Sequence, residues 1–264
     1  MTFPAVRGGP NKTDDLVIAV LGLGEAGGAI AADLIAAGAT VRAYDPAVDA
    51  PDGSVACAGE ADAATGADIV LSVNSAAAAT DALRAGRRGK PKLWADLNTA
   101  APKLKRELAE LCAERGVAFA DVALMSPVPG KGVATPALVS GTGSAQYAES
   151  INVLGGRVTA LDGPAGLAAT RKLLRSVFYK GMAAAALEAL EAARAAGHED
   201  WLRQNIVDEL VASDERTLAR LETGSVRHAL RRSHEMAAAT ELLDELGVPP
   251  RIAAASRDWL RDLV

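Results

Sequence analysis

Aromatic side chains are scarce in this 264-residue chain: three Trp, three Tyr and three Phe, 3% of the total. So few rings leave little platform for stacking single-stranded nucleic acid. Positive charge is not in excess either. A net charge of −5 and a pI near 5.3 give no general field for phosphate backbones. No uncharged apolar run reaches the ~18 residues that span a bilayer, which argues against a membrane protein. The two cysteines, Cys57 and Cys112, make no disulfide framework and no CxxC spacing. With no basic-then-apolar leader segment, the expected setting is the reduced cytoplasm. Three histidines with no i, i+4 pair predict no metal site.

What the chain has in quantity is alanine, 58 residues within an apolar half. A core short of large rings must gain its burial from close approach of helices and strands. Residues 1–15, MTFPAVRGGPNKTDD, lack periodicity and read as a loose tail. From Leu16 onward, apolar strand-like runs alternate with helical stretches: LVIAVLG, TVRAYD, ADIVLSV, PKLWADLN, VAFADVALM, PALVSG and RVTALDG. Continuous apolar runs mark strands buried on both faces, and the alternation predicts an α/β Rossmann-type, doubly wound parallel sheet. After Gly163 strand signals stop. A helix of about 31 residues from Gly166 to Ala196 is expected, then three more helical segments punctuated by Gly197, Gly224 and Gly247-Val248-Pro249-Pro250. The predicted organisation is a tail (1–15), a dinucleotide-binding domain (16–162) and an all-helical substrate and dimerisation domain (163–264).

Gly22-Leu23-Gly24-Glu25-Ala26-Gly27 is a GxGxxG that follows a predicted strand and opens a predicted helix. The first glycine permits a tight turn, the second lets backbone approach a pyrophosphate, and the third lets helix and strand pack closely. The helix N-terminus then presents unpaired N–H groups to phosphate. Asp45, 23 residues after Gly22 at the end of the second strand, suits ribose hydroxyls and repels a 2′-phosphate. The expected cofactor is therefore NAD rather than NADP. Asn74 and Asn98-Thr99 stand at the ends of the third and fourth strands, where the same crevice should lie. Ser75 and Thr99 are equally placed to cap the helices that follow.

Four blocks in order resemble the β-hydroxyacid dehydrogenase superfamily, which includes 6-phosphogluconate dehydrogenase: VLGLGEAGGAIAADL, ADLNTAAP, MSPVPGKGVATPALVSG and GPAGLAATRKLLRS. The match covers about residues 16–196. HEMAAATELLDELGVPP is similar to a bacterial subgroup of NAD-binding phosphogluconate dehydrogenases with its own C-terminal domain. The resemblance implies hydride transfer between a nicotinamide ring and a small polar hydroxy acid or related alcohol, with Lys172 as general acid/base. Helical spacing adds that Lys172, Ser176, Tyr179 and Lys180 share one face of the long helix, by itself equally an ordinary solvated face; the resemblance implies Ser176 as a catalytic candidate and Tyr179 and Lys180 as substrate contacts. Departures are specific. Ser176 stands where the family has Asn, Ala26 where it has Met. In the substrate loop Met125, Pro129 and Lys131 replace the family's acidic residue, Ser and second Gly. From that loop Ser126, Pro127, Val128 and Gly130 are carried over as substrate-binding positions.

Arg231 and His234 lie at i, i+3 on one helix and suit a carboxylate or phosphate, although Glu235 beside them equally fits a solvated, charge-balanced face. The resemblance also admits an imine reductase-like enzyme, a group that usually lacks the lysine, and a dinucleotide-binding regulator without catalysis. No nucleic-acid or membrane partner is expected. A homodimer through the Ala- and Leu-rich helical domain is, because isolated it would expose apolar faces.

Overall fold

The computed structural model describes residues 16–264, so the reading of residues 1–15 lies outside the described residues. The chain divides into two compact units, one running up to Leu174 and the other from Arg175 to Val264. In the first, the strands are β1 (Val17–Leu21), β2 (Thr40–Tyr44), β3 (Val55–Ala56), β4 (Ile69–Ser72), β5 (Leu93–Asp96), β6 (Ala118–Leu124), β7 (Pro136–Ser140) and β8 (Arg157–Ala160). They make one sheet in the order β3-β2-β1-β4-β5-β6-β7-β8. The helices are α1 (Glu25–Ala36), α2 (Glu60–Ala64), α3 (Ala79–Gly86), α4 (Pro102–Ala113), α5 (Ser144–Val153) and the start of α6 (Leu167–Ala195).

The sheet departs from wholly parallel pairing at one place, where β7 runs antiparallel to β6. The link between them holds only a 3-10 turn at Gly132–Ala134. A parallel return needs a crossover of a dozen or more residues, usually a helix, so the chain comes back antiparallel. The two-residue β3, with both residues exposed, adds an edge strand too short to make a strand-length apolar run in the sequence.

Alternation along β1 shows how a chain so short of aromatics fills its core. Ile18 and Val20 join one apolar cluster with Leu34 of α1 and Ile151 of α5. Ala19 and Leu21 join the other, with Trp94, Leu108 of α4 and Phe119. Successive side chains point to opposite faces of a strand, and helices cover both faces here, so both faces of β1 are apolar. Each fully buried Ile, Leu or Val contributes about 1.5–3 kcal/mol. Small residues let the layers approach. Gly86 sits so close to Trp94 that an added Cβ would lie 2.5 Å from the indole.

The second unit contains the rest of α6 with α7 (Glu199–Val211), α8 (Glu215–Arg227), α9 (Ala229–Glu245) and α10 (Arg251–Asp262). Four helices thus follow α6 rather than three. Asp214 opens α8 with a capping box, accepting from the Arg216 and Thr217 N–H groups, while Gly224 lies inside α8. A side-chain acceptor at the N-cap satisfies orphan donors, whereas one interior Gly costs only about 1 kcal/mol; the cap therefore decides where the helix begins. Ala192, Leu243, Val248 and Ala253 form this unit's small apolar cluster. Glu188 of α6 accepts from the Ile252 and Ala253 N–H groups at 2.7 and 2.8 Å, capping α10 from another helix.

Candidate functional site at the carboxyl ends of the strands

The strand order reverses between β1 and β4, and ligands of open α/β sheets bind outside the carboxyl ends at that point. Gly22 follows β1 with φ +94°, and a Cβ there would lie 2.8 Å from the backbone of Val73 and Asn74. Gly27 is tighter still, its added Cβ falling 1.8 Å from the Gly22 carbonyl oxygen. Gly24, at the N-cap of α1, has nothing within 4 Å of where its Cβ would be. The outer two glycines therefore serve packing within the protein, and the middle one keeps open the space in front of the helix N-terminus. Such a cradle suits a pyrophosphate held by backbone N–H groups. Leu23, Glu25 and Ala26 complete the turn and the first turn of α1.

A cavity of about 400 Å³ continues from this turn, walled by Gly22, Gly24, Asp45, Asn74 and their neighbours. The Asp45 Oδ2 accepts from the Leu23 N–H at 2.8 Å. Its Oδ1 accepts from the N–H groups of Ala47 and Val48 at 2.8 and 3.1 Å. Burial pushes its pKa up, but the three backbone donors outweigh that and hold the carboxyl below the ordinary aspartate value. Glu60 and Asp81 join Asp45 at the wall, and no Lys or Arg lines this cavity among the described residues.

At the next strands, polar side chains turn into a buried network. Asn98 donates to Ser72 Oγ (3.2 Å), to Asn74 Oδ1 (2.9 Å) and to Asp96 Oδ1 (2.6 Å). Asn74 also accepts from Ser72 Oγ, which leaves its amide N–H groups available at the cavity wall. Thr99 does not cap the following helix; α4 begins with Ala101 and Pro102 instead. Its hydroxyl accepts a hydrogen bond from Lys172 Nζ at 2.8 Å, across 73 residues of chain. Ser75 does take the capping alternative, accepting from the Ala78 N–H at 3.2 Å just ahead of α3.

The residues that the motifs do not reveal lie directly beneath. Asp96 of β5 and Asp121 of β6 are register partners, both fully buried. Between them sits Lys105 of α4, only 1% exposed. Its Nζ donates to Asp96 Oδ2 at 2.6 Å and to the Asp96 carbonyl at 2.8 Å, and lies 3.4 Å from Asp121 Oδ1. Asp121 Oδ2 in turn accepts from the Gly166 and Ala169 N–H groups, while Ser140 Oγ accepts from Ala168 N–H. A buried carboxylate and side-chain hydroxyl thus tie down the N-terminal turn of α6, just ahead of Lys172. Removing one partner of a buried ion pair typically costs about 3–5 kcal/mol. The available sequence signal was an acid inside each of two doubly buried strands, LWAD and FADVAL, and a lysine on the same α4 stripe as Leu108 and Cys112.

Other predicted positions behave differently. Ser126 accepts from Lys131 Nζ at 3.0 Å, Val128 is buried, and Gly130 takes φ +75°, so Pro127, Val128 and Gly130 shape a loop. Lys131, absent from the expected motif, fills the Ser126 hydroxyl's acceptor site. Ser176, Tyr179 and Lys180 belong to the second unit. There Tyr179 lies under the Arg175 guanidinium, 4.5 Å from its ring centre, and edge-on to Phe178. Arg231 pairs with Glu235, which is the charge-balanced alternative for that helix.

Comparison with known proteins bears on the whole arrangement. Residues 17–155 match the NAD-binding domain of 6-phosphogluconate dehydrogenase, and residues 193–263 match a domain described as of unknown function. A 3-hydroxyisobutyrate dehydrogenase of Pseudomonas aeruginosa is 34% identical over 149 residues, covering 52% of this chain and 50% of the relative. The chain thus spans about half the length of that curated relative. A conserved hypothetical protein of Sinorhizobium meliloti is 28% identical, with 93% of this chain and 87% of that one aligned at a TM-score of 0.62. An imine reductase variant from Myxococcus stipitatus, solved with NAD+, shares the fold at 21% identity, TM-score 0.76 and coverage of 93% and 92%. With its glycine-rich turn after β1, an acid after β2 and a model match over more than half its length, the chain belongs to the family built on the NAD-binding domain of 6-phosphogluconate dehydrogenase.

Proposed function

We propose that the protein is an NAD-dependent oxidoreductase that moves a hydride between the nicotinamide ring and a small polar hydroxy acid or related alcohol. The observation that carries this reading is the Lys172 Nζ to Thr99 Oγ1 hydrogen bond of 2.8 Å, made at the carboxyl end of β5 on the crevice side of the sheet. When bound, the nicotinamide supplies the two-electron acceptor for the substrate's carbinol hydride. Everything else falls to the protein. Lys172 takes the alcohol proton as the carbonyl forms and returns it in the reverse direction, the role of a positioned general base. Thr99 orients the amine. Asn74 and Asn98 shape the crevice floor on which the cofactor rests, and Ser126, Pro127, Val128 and Gly130 are the substrate-contact positions of the first unit; in the second, Ser176 is a catalytic candidate and Tyr179 and Lys180 are substrate-contact candidates.

Preference for NAD over NADP is supported by the acids Asp45, Glu60 and Asp81 at the cavity wall, which oppose a 2′-phosphate. The relative from Pseudomonas supports a CH–OH substrate. Homodimerisation through the helical unit is supported by its small core and by exposed large side chains such as Val177 (75%), Leu187 (71%), Trp201 (68%) and Trp259 (69%). No helix among the described residues is long and apolar enough to cross a membrane.

The test is a panel of small hydroxy acids with NAD+, keto acids with NADH, and cyclic imines with NADH, followed at the reduced-nicotinamide absorbance. Hydroxy acids should turn over, and Lys172→Met should lower kcat about 10²- to 10⁴-fold while leaving NADH affinity within about twofold. Imine reduction that survives Lys172→Met would instead make the protein an imine reductase. Tight NADH binding with no turnover on any class would make it a regulator.

A further inference from the structure

Lys105 donates to the Asp96 carboxylate and carbonyl, faces Asp121 Oδ1 at 3.4 Å and is only 1% exposed, so it cannot meet a substrate. Its position still bears on chemistry. On one side the Asp96 carboxylate that it pairs with holds Asn98, the neighbour of Thr99. On the other, the Asp121 carboxylate that it faces holds the Gly166 and Ala169 N–H groups at the start of α6. Lys172 lies less than one turn beyond Ala169, and its amine reaches Thr99. Two partners of one short hydrogen bond, distant in sequence, are thus tethered to opposite ends of the same buried ion cluster. The glycine at 166 brings the start of α6 onto α4 as well, since a Cβ there would lie 3.0 Å from the Pro102 carbonyl.

We propose that Lys105 is a positioning residue for Lys172, holding the Thr99 loop and the first turn of α6 in register through Asp96 and Asp121. Register pairing of β5 and β6 sets Asp96 directly beside Asp121. Two like charges so placed repel, and without a cation between them they separate or take up water. Either response moves the β5 end and the α6 start apart, which are the two places that fix the Lys172–Thr99 distance. The proposal rests on the reading of Lys172 as the acid/base group, and its test keeps the two separable.

Lys105→Met keeps the length and loses the charge. The first readout needs no turnover: the rate at which an amine-directed reagent, trinitrobenzenesulfonate, modifies Lys172, read by peptide mass spectrometry against exposed Lys90 as the internal reference. Release of the Lys172 amine from Thr99 should raise that rate about fivefold, the worth of one hydrogen bond. In wild-type protein that oxidises a hydroxy acid, Lys105→Met should also cut kcat at least about tenfold with the KM for NAD+ within about twofold. Lys103→Met, on the exposed side of the same helix, should change neither. If Lys105→Met does not fold, Asp121→Asn, which retains the side-chain shape, takes its place with the same expected direction. A folded variant whose Lys172 labels at the wild-type rate overturns the proposal, whatever its melting temperature. A wild-type protein with no hydroxy-acid turnover but an accelerated Lys172 in the variant overturns only the reading of the reaction.

Discussion

Asp45 holds the Leu23 N–H at 2.8 Å, so the acid at the cavity wall also clamps the glycine-rich turn. The two jobs separate in a substitution. Asp45→Ser removes the charge that opposes a 2′-phosphate, and should move the NADPH-to-NADH affinity ratio by about tenfold, or about 1.4 kcal/mol, by fluorescence titration. It should also lower stability by about 1–3 kcal/mol in urea unfolding, because three backbone donors lose their charged acceptor.

The same carboxyl predicts a pH dependence. Its folded value lies below the unfolded value near 3.8, so its stabilisation is complete above that value and lost as pH falls through the lower folded value. Between pH 5 and 3, wild-type unfolding free energy should therefore fall more than that of Asp45→Asn, which has no such carboxyl. Equal slopes would show that the Asp45 contacts contribute nothing in solution.

Gly24 and Gly27 should fail in different ways. Gly24→Ala adds a methyl to open space, so melting temperature should hold while NADH affinity drops at least about tenfold, the methyl standing where a pyrophosphate approaches. Gly27→Ala places a methyl 1.8 Å from the Gly22 carbonyl and should reduce soluble, folded protein outright. Normal cofactor affinity in Gly24→Ala would remove the phosphate from that space.

Thr99→Val keeps the shape and deletes the acceptor for Lys172. Turnover should fall about fivefold, consistent with one hydrogen bond lost, with NADH affinity unchanged in the same preparation. An unaltered kcat would leave Lys172 oriented by other contacts.

The two cysteines offer a check on burial. Burial pushes the Cys112 thiol up to about 12, and it is 1% exposed, whereas Cys57, raised less strongly, is only partly buried. Iodoacetamide at pH 8 should label Cys57 in the folded protein and Cys112 only on unfolding. Early labelling of Cys112 would mean that α4 opens locally.

Sequence by itself determined the glycine-rich turn, its flanking strand and helix, and the sites of most later elements, because each depends on neighbours close in the chain. A run such as VIAVL can be buried only on both faces, and a GxGxxG after it has few other uses. It could not decide the direction of β7, which follows from a link holding no crossover helix. Nor could it start α8 at Asp214, where a cap outweighs the glycine ten residues later. Above all, it could not give Lys105 its partners. The α4 stripe sets Lys105 apart from Lys103, but its charge is compensated only because β5 and β6 pair in a register that sets Asp96 beside Asp121. Charge compensation is a relation among three elements at once, and only the tertiary structure brings those elements together.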